Sequence, residues 1–225
     1  MKDFITLVNS KVGAFAWGPW TVALIAITGI FLMVGLRCIP LRKLGYGFKL
    51  LFEPVDQRGE GEISPFQALM TSLAATIGTG NIAGVSTAIA VGGPGAIFWM
   101  WLIAIFGIAT KYAEAVLAVH FRETDAEGNH VGGPMYYIRN GLGHGWTWMA
   151  GLFALFGMLA GFGIGNGVQA FELAKALEKT TQIPRSATGV VLGVLIFLVV
   201  IGGVRRIARA ASAIVPVMAI LYIGA

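Results

Sequence analysis

The chain has 225 residues, of which 56% are hydrophobic and 12% charged, and 32 are glycine. That balance lies outside the soluble globular range and is typical of packed helices in lipid, so the composition indicates an integral membrane protein. The net charge of +5 comes from basic residues in loops between apolar stretches, where they set orientation, which argues against a nucleic-acid partner. The single cysteine, Cys38, excludes a disulfide or a cysteine-pair metal site within the chain.

The first predicted element is 17–36, WGPWTVALIAITGIFLMVGL, an uncharged stretch of twenty residues, the length of a helix crossing a hydrocarbon core of ~30 Å. A secretory signal is the alternative. The region before it is long and only weakly basic, and no small-residue cleavage site follows, which favours a span. Next, Leu41, Leu44, Phe48 and Leu51 repeat at helical spacing opposite Arg42, Lys43 and Lys49. This pattern predicts an amphipathic helix lying on the membrane over 40–52, while Gly45 and Gly47 suit a plain loop equally well.

No Asp, Glu, Lys or Arg occurs over 63–110, too long a run for one span, and VGGPG at 91–95 supplies the turn that divides it. The expected helices are 64–90 and 95–120. The segment 146–176, uncharged as far as Phe171, exceeds what a perpendicular helix needs and implies tilt. A return span is expected over 186–204, and a last one begins at 210 and stops at 225 without the polar residues that normally end a span. The chain therefore reads as cut off within it.

Orientation follows from the basic loops. Arg37, Arg42, Lys43, Lys49, Arg58, Arg122, Arg139, Arg205, Arg206 and Arg209 fall on one side, and Lys2, Lys11, Lys175, Lys179 and Arg185 on the other. The positive-inside rule then makes the larger set cytoplasmic and the N-terminus extracytoplasmic in a multi-pass cell-membrane protein. Three tryptophan pairs, Trp17/Trp20, Trp99/Trp101 and Trp146/Trp148, lie near span ends, where interfacial aromatics anchor.

Within 64–90 the run Gly78-Thr79-Gly80-Asn81-Ile82-Ala83 satisfies the dinucleotide pattern G-x-G-x-x-G/A. A Rossmann loop needs a strand before it and an acidic residue ~20 positions later; this one lies inside an uncharged apolar run, and the corresponding region reads MWLIA. The pattern instead puts poor helix formers at membrane depth, in a segment about 40 Å long if straight, so several residues are spare. Non-helical backbone there is tolerated where it lines a polar cavity or is buried in protein. An unwound segment offers amide donors and a positive helix end to a carboxylate, and carbonyls with the Asn81 oxygen to a small hard cation such as sodium. Gly80-x-x-x-Gly84 is also the small-xxx-small packing pattern, and the spacing alone leaves both readings open.

Three longer stretches, GTGNIAGVSTAIAVGGPGAIFWMW (78–101), ATKYAEAVLAVHFR (109–122) and GGPMYYIRNGLG (132–143), resemble the alanine or glycine:cation symporter family, the sodium:alanine symporters, and the resemblance runs over about 41–225. It implies an all-α integral membrane protein with the leucine-transporter-type inverted-repeat fold, of which the chain would hold the first repeat with an unwound first core helix. Residues 1–62 would be an extra N-terminal transmembrane helix and a cytoplasmic amphipathic linker. Residues 63–225 would be the first five-helix repeat, truncated in its fifth helix. The implied function is symport of a small neutral amino acid, alanine or glycine, with sodium as coupling ion, no other cofactor and no enzymatic chemistry.

The resemblance places substrate contacts on the backbone at Thr79 and Gly80 and on Gln169, in Gly165-Asn166-Gly167-Val168-Gln169; the oxygen chemistry of the unwound segment assigns Asn81 to sodium. After Gln169 the family continues with alanine, asparagine and serine, where this chain has Ala170-Phe171-Glu172. The implied C-terminal half of the transporter would close the site, so the 225-residue chain by itself is expected neither to bind tightly nor to transport.

Gln169 is also expected on physical grounds to face the bundle interior, because a neutral amide is costly against lipid; an interhelical hydrogen bond is the structural alternative. Lys111 and Glu114, three apart on one helix face, neutralise each other, and a structural lock is favoured over ion coupling. His120, His130 and His144 lack metal-ligand spacing. Two other classes compete with a transporter: a structural membrane subunit held by glycine packing, and a channel, which would require a continuous polar pore.

Overall fold

A computed structural model describes residues 10–52 and 63–224, so Lys2 and Arg58, two of the residues counted for orientation, lie outside the described residues. The described chain is almost wholly helical and falls into two compact units, Met1–Leu44 with Pro94–Ala154, and Gly45–Gly93 with Leu155–Ala225. Among the described residues four helices are long and apolar enough to cross a membrane: Ser10–Gly35, Gly95–His120, His144–Thr181 and Gly203–Gly224. A bent pair, Pro65–Thr76 and Gly80–Gly92, makes a fifth if taken as one span.

In the first unit, α1 (Pro19–Gly35) starts with Pro19 at its first turn, where a missing N–H costs nothing. Two short helices follow, α2 (Ile39–Arg42) in this unit and α3 (Leu44–Phe52), which from Gly45 onward belongs to the second. The segment 40–52 is therefore helical rather than a loop, and its apolar residues Leu44, Phe48 and Phe52 are exposed. Helix α6 (Gly95–His120) packs on α1. The two backbones meet closely at Gly29, where an added Cβ would lie 3.0 Å from Phe106 Cβ and 3.2 Å from its carbonyl oxygen. Lys111 Nζ and Glu114 Oε2 pair at 2.7 Å on an exposed face of α6.

The link after α6 contains a structure that the sequence pattern does not announce. Strands β1 (Glu123–Thr124) and β2 (His130–Val131) form a small antiparallel hairpin. Its turn is held by Asp125, whose carboxylate accepts the N–H groups of Asn129 at 2.8 Å and Glu127 at 3.0 Å. Helix α7 (Pro134–Leu142) follows. From it, Arg139 and Asn140 both donate to Glu123 Oε1, at 2.6 and 2.7 Å. Helix α8 (Thr147–Phe162) begins with Trp146 and Trp148 stacked at 6.3 Å between ring centroids.

The second unit contains α4 (Pro65–Thr76), α5 (Val85–Gly92), α9 (Gln169–Thr181), α10 (Arg185–Val200) and α11 (Gly203–Gly224). Helix α4 starts from a reciprocal capping box, Ser64 Oγ accepting from Gln67 N–H and Gln67 Oε1 from Ser64 N–H, both at 3.2 Å. It packs along α11 through buried Met70, Ala211 and Val215, flanked by Phe66, Leu69 and Leu73. The turn at 91–95 forms as expected, with Gly93 at φ +69°, a conformation that L side chains rarely adopt.

Two boundaries differ from expectation. The last helix starts at Gly203 rather than 210, so Arg205, Arg206 and Arg209 belong to its first turns instead of a loop; long basic side chains are good helix formers, and the turn is made upstream at Gly203, φ +65°. Helix α10 ends at Val200. At 16 residues it is about 24 Å long, short of the ~30 Å hydrocarbon core.

Candidate functional site

The site lies within the second unit, at the bend between α4 and the helix that follows. Helix α4 stops at Thr76 because Ile77 turns extended, φ −84° and ψ 113°. A π-helical turn over Gly80–Gly84 then leads into α5. The two halves are bent by 57°. Gly78 and Gly80 flank Thr79 here, and neither resists leaving the helix. The break expected from Gly78-Thr79-Gly80-Asn81 is present.

Asn81 fastens this break to itself. Its Oδ1 accepts the Gly78 N–H at 3.2 Å, and its own N–H donates to the Gly78 carbonyl at 3.0 Å. The pair closes a small ring across Thr79 and Gly80, satisfying backbone groups that the broken helix would otherwise leave unpaired. A carbonyl oxygen has two lone pairs, so Oδ1 retains one after this bond.

A second interruption sits in the next long apolar helix. Between α8 and α9 the chain makes another π-helical turn, Ile164–Val168, which ends directly at Gln169. It carries Gly165-Asn166 as the first carries Gly80-Asn81. Turns of this type are local excess residues in a helix and occur frequently at functional sites. The signal for it was in the sequence, in the alternate glycines of GFGIGNGVQ and the repeated Gly-Asn pair.

These two interruptions meet. A Cβ on Gly78 would lie 3.0 Å from Gln169 Nε2 and 3.3 Å from its Cδ and Oε1, so the amide fills the space a side chain at 78 would take. Thr79, Gly80, Asn81 and Gln169, named from sequence, are thus gathered at one place, and Gly78, which sequence reasoning passed over as a contact, is the residue that joins them. The Gln169 amide and the Thr79 hydroxyl form no hydrogen bond to another described residue, so their donors and acceptors are available. Asn81, Gly80 and Gln169 are exposed on this chain.

Among the described residues no group of three or more His, Cys, Asp and Glu is placed to hold a metal ion. The chemistry here is that of amides, a hydroxyl and main-chain carbonyls, which suits a zwitterion and a hard monovalent cation better than a transition metal.

The profile of the sodium:alanine symporter family matches residues 2–225. Among curated proteins the chain is 51% identical to the sodium/alanine symporter AgcS of Methanococcus maripaludis, covering 98% of this chain and 49% of that protein. It is 40% identical to the probable sodium/glutamine symporter GlnT of Bacillus subtilis, covering 100% and 46%, and 39% identical to the putative sodium/proton-dependent alanine carrier protein YrbD of the same organism, covering 99% and 44%. The chain spans about half the length of the curated relatives it matches.

Proposed function

The chain belongs to the sodium:alanine symporter family, and from that premise we propose that it contributes the substrate and ion site of a sodium-coupled transporter for a small neutral amino acid, alanine or glycine. The observation that carries this reading is the contact between Gln169 and the break at Gly78, which sets an amide side chain beside unwound backbone in a unit of apolar helices.

In this reading the substrate carboxylate lies at the start of the half-helix Gly80–Gly92, where unpaired N–H groups and the positive end of the dipole favour an anion. Gln169 donates to that carboxylate, and Thr79 and Gly80 line it through their backbone. Sodium takes carbonyl oxygens from the C-terminal end of α4 together with the remaining lone pair of Asn81 Oδ1, an all-oxygen set that a hard cation prefers. Placing the cation beside the carboxylate gives each ligand a reason to favour the other. No catalytic step is proposed.

The wider arrangement is proposed on the same footing. The fold is the leucine-transporter type, with 1–62 as an added helix and linker and 63–225 as one repeat. The N-terminus lies outside the cell. The exposed site is covered by residues corresponding to the half of the relatives that this chain does not match, since amides facing lipid would be costly. Alternating access is the movement of one repeat against the other.

Sodium-driven accumulation of labelled alanine in proteoliposomes tests this reading. Uptake that persists unchanged when the sodium gradient is collapsed, or that is absent from the full-length protein, overturns it.

A further inference from the structure

Gly78 is distinguished among the glycines of the two interruptions. Added Cβ atoms at Gly80, Gly84 and Gly167 would meet nothing within 4 Å, and at Gly165 only a carbonyl at 3.6 Å, whereas at Gly78 the whole Gln169 amide fills the space. Nor is Gly78 kept by its backbone conformation, because it is not among the residues with positive φ. What crowds a side chain there is the amide alone, which would have to give by a few tenths of an ångström. The same residue is also tied to Asn81, through both its N–H and its carbonyl. Asn81 thus ties down the backbone beside Gln169, and the missing Cβ leaves the room that the amide occupies.

We propose that Gly78 is a positioning residue for the substrate site: its lack of a side chain seats the Gln169 amide against the broken helix at the depth where it meets the substrate carboxylate. The inference rests on the transport reading above. A methyl group at position 78 is tighter against Gln169 than ordinary contact allows, and the long flexible side chain yields by moving outward. The amide then hydrogen-bonds at the wrong place. Small displacements of a positioned group are expensive, up to about a hundredfold for 1 Å. Shortening the displaced side chain relieves the crowding, so the effect of Gly78→Ala depends on what stands at 169.

The test is a double-mutant cycle in the full-length protein, comparing parent, Gly78→Ala, Gln169→Asn and the pair, with Gln169→Ala as reference, read as KM and maximal rate for sodium-driven alanine uptake. Gly78→Ala is expected to raise KM on the order of tenfold while leaving the maximal rate within about twofold. The pair is expected to recover part of that loss relative to the product of the two single effects. A purely structural role would lower the maximal rate through lost folded protein, with no recovery by Gln169→Asn. Three results overturn the proposal. These are Gly78→Ala with the parental KM, additive single effects, or a loss confined to the maximal rate and tracking the amount of folded protein. The transport reading fails separately, when the parent shows no sodium-driven uptake or when Gln169→Ala transports as well as the parent, and either outcome removes this inference with it.

Discussion

Gln169 and Thr79 are side chains at the break that form no hydrogen bond to another described residue, and they should differ in what they contribute. Gln169→Ala removes a donor to a charged group and is expected to weaken alanine binding by roughly 1.5–3 kcal/mol. Thr79→Val should cost less, because the backbone at position 79 survives the substitution. Isothermal calorimetry on folded variants measures both, and an unweakened Gln169→Ala would remove it from the site. Asn81 locks Gly78, and in the proposed site the second lone pair of its Oδ1 takes sodium. Asn81→Ala is therefore expected to lower the sodium dependence of uptake more than it changes selectivity between alanine and glycine. The identities of these residues were legible in the sequence because polar, helix-breaking residues stand out in an uncharged run. Their meeting was not, since Gly78 and Gln169 are far apart in the chain and only the packing of the second unit brings them into contact.

Among the elements, the long apolar helices were readable from length and hydropathy, and the turn at 91–95 from its glycines and proline. The hairpin Glu123–Val131 was not, because strands of two residues carry no periodicity and its order comes from distant partners. Arg139 and Asn140 hold the Glu123 carboxyl below its ordinary value of 4.5, the Arg139 hydrogen bond being the larger influence. Asp125 is likewise held low, first by the Asn129 N–H. Carboxylates with lowered values stabilise the folded link fully above their ordinary range and lose that contribution as pH falls through the lower folded values. Protection of the hairpin amides against hydrogen exchange, taken relative to the unstructured chain at the same pH, should therefore fall on acidification below about pH 4.5, and Glu123→Gln should blunt the dependence. Protection that stays flat over that range would deny these contacts a role. The crossing of α1 and α6 offers a second test at this scale. Gly29→Leu inserts a side chain where even a Cβ is crowded by Phe106, and overpacking of that kind costs about 1–3 kcal/mol. Thermal denaturation in detergent should show it, and unchanged stability would mean that the helices cross elsewhere.

For the whole molecule, sequence alone established a multi-pass helical membrane protein, because composition and the charge-free runs are properties of lipid-embedded chains. The start of α11 was misplaced for a related reason: charges were taken to end a span, yet Arg205 and Arg206 extend the helix beyond its apolar part. Orientation is open to direct measurement. Cys38 is free and exposed, between Arg37 and Arg42, and the basic-loop asymmetry predicts a cytoplasmic position for it. In a protein with Cys38 as its one cysteine, an impermeant thiol reagent should label inside-out vesicles and spare intact cells, and labelling of intact cells would reverse the topology.

The central claim is that one site couples an amino acid to sodium, and binding linkage tests it most directly. If both ligands share the break at Gly78–Asn81, sodium must raise alanine affinity and alanine must raise sodium affinity by the same factor. Calorimetry of alanine binding to the full-length protein, with sodium and with a large organic cation in its place, is the measurement. The expected result is alanine binding that tightens at least tenfold in sodium, a coupling of about 1.4 kcal/mol, and loses most of that gain in Asn81→Ala. Equal alanine affinity with and without sodium would contradict the account.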